Sequence, residues 1–347
     1  MSGRITRLEL TPLDLPMRQP FVTALGSKQV TRNLRVTVRL EGGASGNGEA
    51  SASLAWPDQT QEAMRQALEK TRPWLIGSEI ERFQALAARG WREIGHLSAS
   101  AAALECALLD AFTRTRGISL WKWFGGKRRA VVTSLTISAW PPPVAARAAR
   151  RATRLGFRRL KVKLTGSDPD GDMERLLAVH RAAPRTTLWL DGNQGFTPER
   201  AVSFCRQVRR RRLPVRLFEQ PVPRTAWAGL RQVEKEGMIP VVADESVRNA
   251  AEVRELIRRR AASAINVKLA KCGPSGALEI IRLAKKAGLR LMIGCMAESA
   301  AGLTPSVALA CGTGAFDDVD LDSHLLVASP RGRSGFTTRG AVLRIGP

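Results

Sequence analysis

"VRLFEQP", residues 215–221, is a short apolar run that ends in an acid. Val215, Leu217 and Phe218 suit a buried strand, and Pro221 stops it. Glu219 arrives with no turn residue before it. The same pattern recurs from about residue 130. The runs are VVTSLTI (131–137), FRRLKVK (157–163), TTLWLD (186–191), VRLFE (215–219), IPVVAD (239–244), SAINVK (263–268), LRLMIG (289–294) and DDVDLD (317–322). Helical stretches separate them. In TPERAVSFCRQVRR (197–210), Thr197 can cap and Pro198 takes the first helical position. Eight strands alternating with helices make an α/β chain with a parallel sheet, and closing them gives a (β/α) barrel. Such barrels commonly take about 250 residues. About 195 lie between residues 130 and 325, so this one is compact. An open doubly wound sheet is the alternative. It would carry a Gly-rich phosphate turn after its first strand, and ISAWPPP (137–143) is not one.

The polar residues ending these runs are Lys163, Asp191, Glu219, Asp244, Lys268 and the pair Asp320/Asp322. From Lys163 to Lys268 the steps are 28, 28, 25 and 24 residues, one βα unit each. Parallel strand ends converge on one face of a barrel, where active sites lie. Glu219 therefore ends its strand because that end lines a mouth. Asp191, Glu219 and Asp244 side by side would repel one another unless a cation held them. Their all-oxygen donor set favours a hard ion, Mg²⁺ above all. Lys161 and Lys163, at i and i+2 of one strand, point the same way. Two neighbouring ammonium groups are expected to lower a lysine pKa, which suits a general base. Lys268, four strands further round, is expected to face Lys163 across the mouth. Two opposed amines beside a hard cation suit removal of a proton next to a carboxylate, with return of a proton to the other face and inversion of that carbon.

Before residue 130 the chain reads differently. LRVTVRLEGG (34–43) alternates like a strand and turns on its glycines, and residues 60–116 read as helices. The N-terminal stretch has no apolar signal region, and no run approaches the roughly 20 residues of a membrane span. Cys106, Cys205, Cys272, Cys295 and Cys311 form no C-x-x-C pair and read as reduced thiols, so a cytoplasmic location is expected. The formal charge is +24, with 44 arginines against 11 lysines. The basic runs at 146–159, 206–214 and 255–262 fall in helical stretches and read as solvated outer faces. No RNA-binding motif or zinc-finger spacing accompanies them, so no nucleic-acid partner is expected.

LKVKL (160–164), LDGNQG (190–195), FEQP (218–221), ADES (243–246), NVKL (266–269) and GCMAES (294–299) together resemble the strand-end motifs of the enolase superfamily, in its muconate-lactonising subgroup. The resemblance extends to GNGEA (46–50) and to residues 102–126, and so covers nearly the whole chain. It implies a modified (β/α)7β TIM-type barrel (126–325), an N-terminal α+β capping domain (1–125), and a tail (326–347) returning to that domain. It implies Asp191, Glu219 and Asp244 as ligands of one Mg²⁺, Lys163 and Lys268 as the acid/base pair, and Lys161 as an electrostatic helper.

Within the subgroup, DVDLDSHLL (318–326) is similar to the D-x-D of dipeptide epimerases of the L-Ala-D/L-Glu type, which holds the substrate ammonium. The resemblance thus points to epimerisation of a dipeptide, with Asp320 and Asp322 on its amine. An N-acyl amino acid racemase or a cycloisomerase of the muconate or o-succinylbenzoate type is the alternative on the same site. Ala-Glu epimerases carry an arginine after T-A-L, where VTALGSK (22–28) has Gly26; Lys28 stands nearby as a candidate substitute, but the preferred second residue is expected not to be acidic. The specificity pocket is expected from loops 18–29 and 52–60, with Arg18, Phe21, Gly26 and Trp56. Cys295, Met296 and Glu298 are expected beside it, with Asn193, Gln194, Glu245 and Ser299 near the site and His324 in a structural role. A homo-oligomer is expected, acting on a small-molecule dipeptide.

Overall fold

The computed structural model describes residues 3–328 and 334–346. The first lobe is an antiparallel sheet of β1 (Ile5–Thr23), β2 (Gly26–Leu40) and β3 (Ser45–Ala50) packed on helices. These helices are α1 (Gln61–Glu69), α2 (Arg72–Leu75), α3 (Phe83–Ile94), α4 (Ser98–Thr115) and α5 (Leu120–Trp123). Helix α4 is apolar nearly all round and is buried accordingly. Strand β3 lies directly against it. A Cβ on Gly46 would strike the backbone of Ala111, and one on Gly48 the Ala103 carbonyl. That contact is why GNGEA needs both glycines.

The second lobe is a parallel sheet in the order β5 (Leu135–Ile137), β6 (Arg159–Lys163), β7 (Thr187–Asp191), β8 (Val215–Glu219), β9 (Val241–Ala243), β10 (Ala264–Val267), β11 (Arg290–Gly294) and β12 (Asp318–Asp320). Seven helices alternate with them: α6 (Pro142–Arg154), α7 (Pro169–Ala182), α8 (Pro198–Arg210), α9 (Trp227–Gly237), α10 (Ala250–Arg259), α11 (Leu269–Lys286) and α12 (Ala300–Thr313). Only a one-turn helix, α13 (Ser323–Leu326), follows β12. The ring closes where the Ser134 N–H donates to the Val319 carbonyl at 2.9 Å and the Leu321 N–H to Thr133 Oγ1 at 2.8 Å. This is a (β/α)7β barrel capped by an α+β lobe.

The run 131–137 is not one strand. Its start belongs to β4 (Ala130–Val132), which pairs antiparallel with a C-terminal hairpin of β13 (Phe336–Arg339) and β14 (Val342–Ile345). Only Leu135–Ile137 enters the barrel, because Thr133 and Ser134 are spent on closing it. The tail touches both lobes. Val327 bridges Met17, and the Ala328 N–H donates to the Pro16 carbonyl at 2.7 Å, before the hairpin settles on β4.

Helix-facing strand residues merge into one large core, while Trp189, Leu217, Val242, Ala264 and Met292 fill the barrel interior. Many of the excess cations end the outer helices: Arg151 and Arg154, Arg209 and Arg210, Arg258 and Arg259, Lys285 and Lys286. There they oppose the negative end of each helix dipole. Among the described residues no helix is long and apolar enough to cross a membrane.

Candidate active site

Register places the key side chains in one row. Lys163 pairs with Asp191, and Asp191 with Glu219. Lys161 lies one inward position below, level with Trp189. Asp244 follows β9 and Lys268 follows β10. Strand β10 is four places from β6 in the eight-stranded ring, so Lys163 and Lys268 enter from opposite sides. Both line one cavity together with Lys161, Asp244, Asp320 and Asp322.

The acids are wholly buried and each is turned onto lysine. Asp191 Oδ2 lies 2.5 Å from Lys163 Nζ and 3.1 Å from Lys161 Nζ. Asp244 bonds Lys268 at 2.6 Å and Lys271 at 2.7 Å. Glu219 Oε1 accepts from Asn266 at 2.9 Å. Its Oε2 stands 2.8 Å from Lys161 Nζ but off the line of a hydrogen bond, and so is left unsatisfied. Among the described residues no three acid, histidine or cysteine side chains surround one point closely enough to grip an ion as they stand.

Charge nonetheless runs short of cations. Asp191, Glu219, Asp244, Glu245, Asp320 and Asp322 face Lys161, Lys163, Lys268 and Lys271, all of them buried. Fully ionised, that is 4 − 6 = −2. Burial pushes the Glu219 carboxyl up to about 7, with Lys161 only partly opposing it. Burial and the neighbouring Asp244 and Asp191 push Glu245 up to about 8. Burial would also raise Asp191, but Lys163 and Lys161 outweigh it and hold it down at about 2. A buried, all-oxygen trio with an orphaned carboxylate oxygen and two charges in deficit fits a hard divalent cation.

The expected depression of a lysine pKa by its neighbour does not occur at Lys161. Burial pushes that ammonium down, but Asp320, Glu219 and Asp191 outweigh burial and hold its pKa well above the ordinary lysine value. Lys268 is likewise raised, by Asp244 and Glu219 against the pull of burial. Carboxylates outnumber amines here, and their charge decides the sign.

The D-x-D acids differ in their partners. Asp320 is already taken, with Oδ2 2.7 Å from Lys161 Nζ and Oδ1 accepting from Ser134 Oγ at 2.6 Å. Asp322 accepts the Thr136 N–H, at 2.6 Å, and among the described residues has no cation within salt-bridge reach. Burial and Asp320 together push its carboxyl up to about 6.

Phe21, Leu25, Lys28, Leu54, Trp56 and Met296 are among the residues that wall the cavity, with Cys295 beside them. Burial pushes the Cys295 thiol well up, so it stays protonated. Gly26 and Glu298 do not line this cavity. Gly26 sits in an open hairpin turn at φ +123°, a glycine conformation, with nothing around it. Glu298 is buried and its Oε2 finds no hydrogen-bond partner among the described residues. Arg18 lines a neighbouring cavity along α6 instead. His324 packs edge-on against Phe336, with Nε2 3.0 Å from Thr338 Oγ1, away from the cavity.

One participant, Lys271, escaped the sequence, and a second, Lys28, stood there only as a neighbour of Gly26. Lys271 donates to the Asp244 carboxylate and carbonyl and to the Asn266 carbonyl. Lys28 faces Phe21 and Lys163 with no carboxylate within 4 Å among the described residues. Burial and the Lys163 charge bring the Lys28 pKa down to about 8. Lysine scarcity in an arginine-rich chain was the available signal for both.

Residues 7–125 match the family model "Mandelate racemase / muconate lactonizing enzyme, N-terminal domain", and residues 144–331 match "Enolase C-terminal domain-like". An aromatic dipeptide epimerase of Herpetosiphon aurantiacus is 38% identical over 99% of this chain and 97% of its own length. An L-Ala-D/L-Glu epimerase of Thermotoga maritima is 33% identical over 99% of each chain. A dipeptide epimerase of Enterococcus faecalis, solved with Mg and L-Leu-L-Tyr, superposes with a TM-score of 0.93 at 27% identity, covering 99% of this chain and 97% of that one.

Proposed function

Because the chain belongs to the mandelate racemase / muconate lactonizing enzyme family of the enolase superfamily, we propose that it is a dipeptide epimerase that inverts the α-carbon next to the C-terminal carboxylate. Asp191, Glu219 and Asp244 would hold one Mg²⁺, which would supply positive charge to offset the negative charge that builds up on the substrate carboxylate. Lys163 removes the α-proton from one face, and Lys268 returns a proton to the other. The reverse reaction exchanges their roles. Lys161, in contact with Asp191, Glu219 and Asp320, stays charged and steadies the enolate oxygens. Asp322, the D-x-D acid without a cation, takes the substrate ammonium. The side chain of the second residue lies among Phe21, Leu25, Leu54 and Trp56, which favours an apolar group. The substrate is a free dipeptide met in the cytoplasm, and the enzyme works as a homo-oligomer.

The observation that carries this reading is the placement of Lys163 and Lys268 on strands four apart, lining one cavity with the acid row between them. A dipeptide library incubated in D₂O with Mg²⁺ tests it by mass spectrometry. Free-amine dipeptides should gain one deuterium and form the other epimer, and EDTA should stop both. Turnover of N-acyl amino acids with inert dipeptides would refute it.

A further inference from the structure

A bulge sets the tip of the first lobe apart from the rest of its sheet. Pro16 pairs with Val30 and Phe21 with Lys28, so five steps on β1 face two on β2 and residues 17–20 bulge away. The barrel catches the chain just beyond this bulge. Ser138, only 1% exposed, accepts the Val22 N–H at 2.6 Å and donates to the Val22 carbonyl at 2.8 Å. The Ala139 N–H donates to the same carbonyl at 3.0 Å, and Trp140 Nε1 to the Pro20 carbonyl at 2.7 Å. Phe21 lies between these two holds, with its ring centroid 5.6 Å from Lys163 Nζ.

The clasp continues inward. The Trp140 carbonyl accepts from Arg175 Nε at 2.6 Å, and Arg175 Nη1 donates to Asp172 at 2.5 Å. Asp172, fully buried, accepts the Thr165 N–H at 2.9 Å and the Gly166 N–H at 2.8 Å. Thr165 is two residues beyond Lys163. One network, exposed at Pro20 and buried at Asp172, thus joins the loop that carries Phe21 to the strand end that carries Lys163.

We propose that Ser138 and Trp140 are positioning residues for proton transfer at Lys163: they hold Phe21 over this amine and keep water from it, while among the described residues no aromatic ring stands over Lys268. This rests on the proposed role of Lys163 in epimerisation. Neither residue touches the reacting carbon. Their effect is one-sided because the clasp ends on β6 and the loop beside it.

The test uses the full-length enzyme with Mg²⁺, as wild type and as Ser138→Ala, Ser138→Thr and Trp140→Phe. Backbone amide exchange read by mass spectrometry should quicken for the peptide spanning 17–25 in Ser138→Ala and Trp140→Phe, and stay near wild type in Ser138→Thr. In D₂O, wash-in without inversion should rise by about threefold or more for the epimer that gives its proton to Lys163, and hold within about twofold for the other. Unchanged protection of 17–25 would overturn the clasp. An equal effect on both epimers would reduce it to an ordinary structural contact and overturn its positioning role. A wild-type enzyme inert on every dipeptide would overturn the reaction, and the role at Lys163 with it, while amide exchange still reports whether the clasp forms.

Discussion

Lys161 Nζ lies 2.7 Å from Asp320 Oδ2, so a single buried amine joins the acid of the last barrel strand to the Asp191–Glu219 pair. The two acids of the D-x-D therefore do different work. Asp322→Asn should weaken binding of free-amine dipeptides, raising KM by roughly 10- to 100-fold, the range for losing a charged hydrogen bond. Asp320→Asn should instead act mainly on kcat, through the misplaced Lys161. Steady-state kinetics of both variants checks this; equal effects on KM would restore the simple pincer.

Among the described residues Lys28 is the cavity cation left without an acid, at the hairpin position facing Phe21. Dipeptides with an aromatic or aliphatic second residue should exceed Ala-Glu in kcat/KM by about tenfold or more, because one desolvated carboxylate among apolar walls is poorly compensated. Lys28→Met should abolish the residual turnover of Ala-Glu and leave apolar dipeptides within about threefold. A measured preference for Ala-Glu would overturn the apolar assignment.

Much of this site is legible in the chain because a parallel barrel delivers one strand-end residue per βα unit. Lys163, Asp191, Glu219, Asp244 and Lys268 stand at near-equal steps for that reason. What is not legible depends on contacts between segments far apart in sequence. Asp320 looks free beside Asp322 until Lys161, 159 residues earlier, is seen to hold it. Lys271 looks like a helix residue, but Gly273 at φ +63° breaks α11 and lets the first turn point its lysine at Asp244. ISAWPPP reads as the absence of a phosphate turn, and only the fold shows Ser138 and Trp140 gripping a loop 116 to 120 residues away.

The glycines of β3 carry a stability prediction. Gly48→Ala should cost about 3 kcal/mol, the upper range for overpacking, because its methyl meets the backbone of α4 rather than a side chain that can yield. Gly43→Ala, in an open turn at φ +90°, should cost less. Urea unfolding of the two variants gives the comparison, and equal midpoints would contradict the packing described for GNGEA.

His324 makes stability depend on pH. Burial pushes its pKa down to about 4, below the 6.5 of an exposed histidine. The unfolded chain thus binds the proton more readily, so this contribution is fully present above about pH 6.5 and is lost as pH falls through about 4. Melting temperature should drop over that window in the wild type, and less steeply in His324→Gln. Parallel curves would show that other groups set the slope.

The central claim is that two amines serve opposite faces of one carbon. The direct measurement is α-proton exchange in D₂O, starting from each pure epimer, with Lys163→Ala and Lys268→Ala. Each variant should lose epimerisation by about 10²-fold or more, yet retain exchange of one epimer only, and the retained epimer should differ between them. Retention of the same epimer by both variants, or exchange of both epimers by either, would contradict transfer between two opposed lysines.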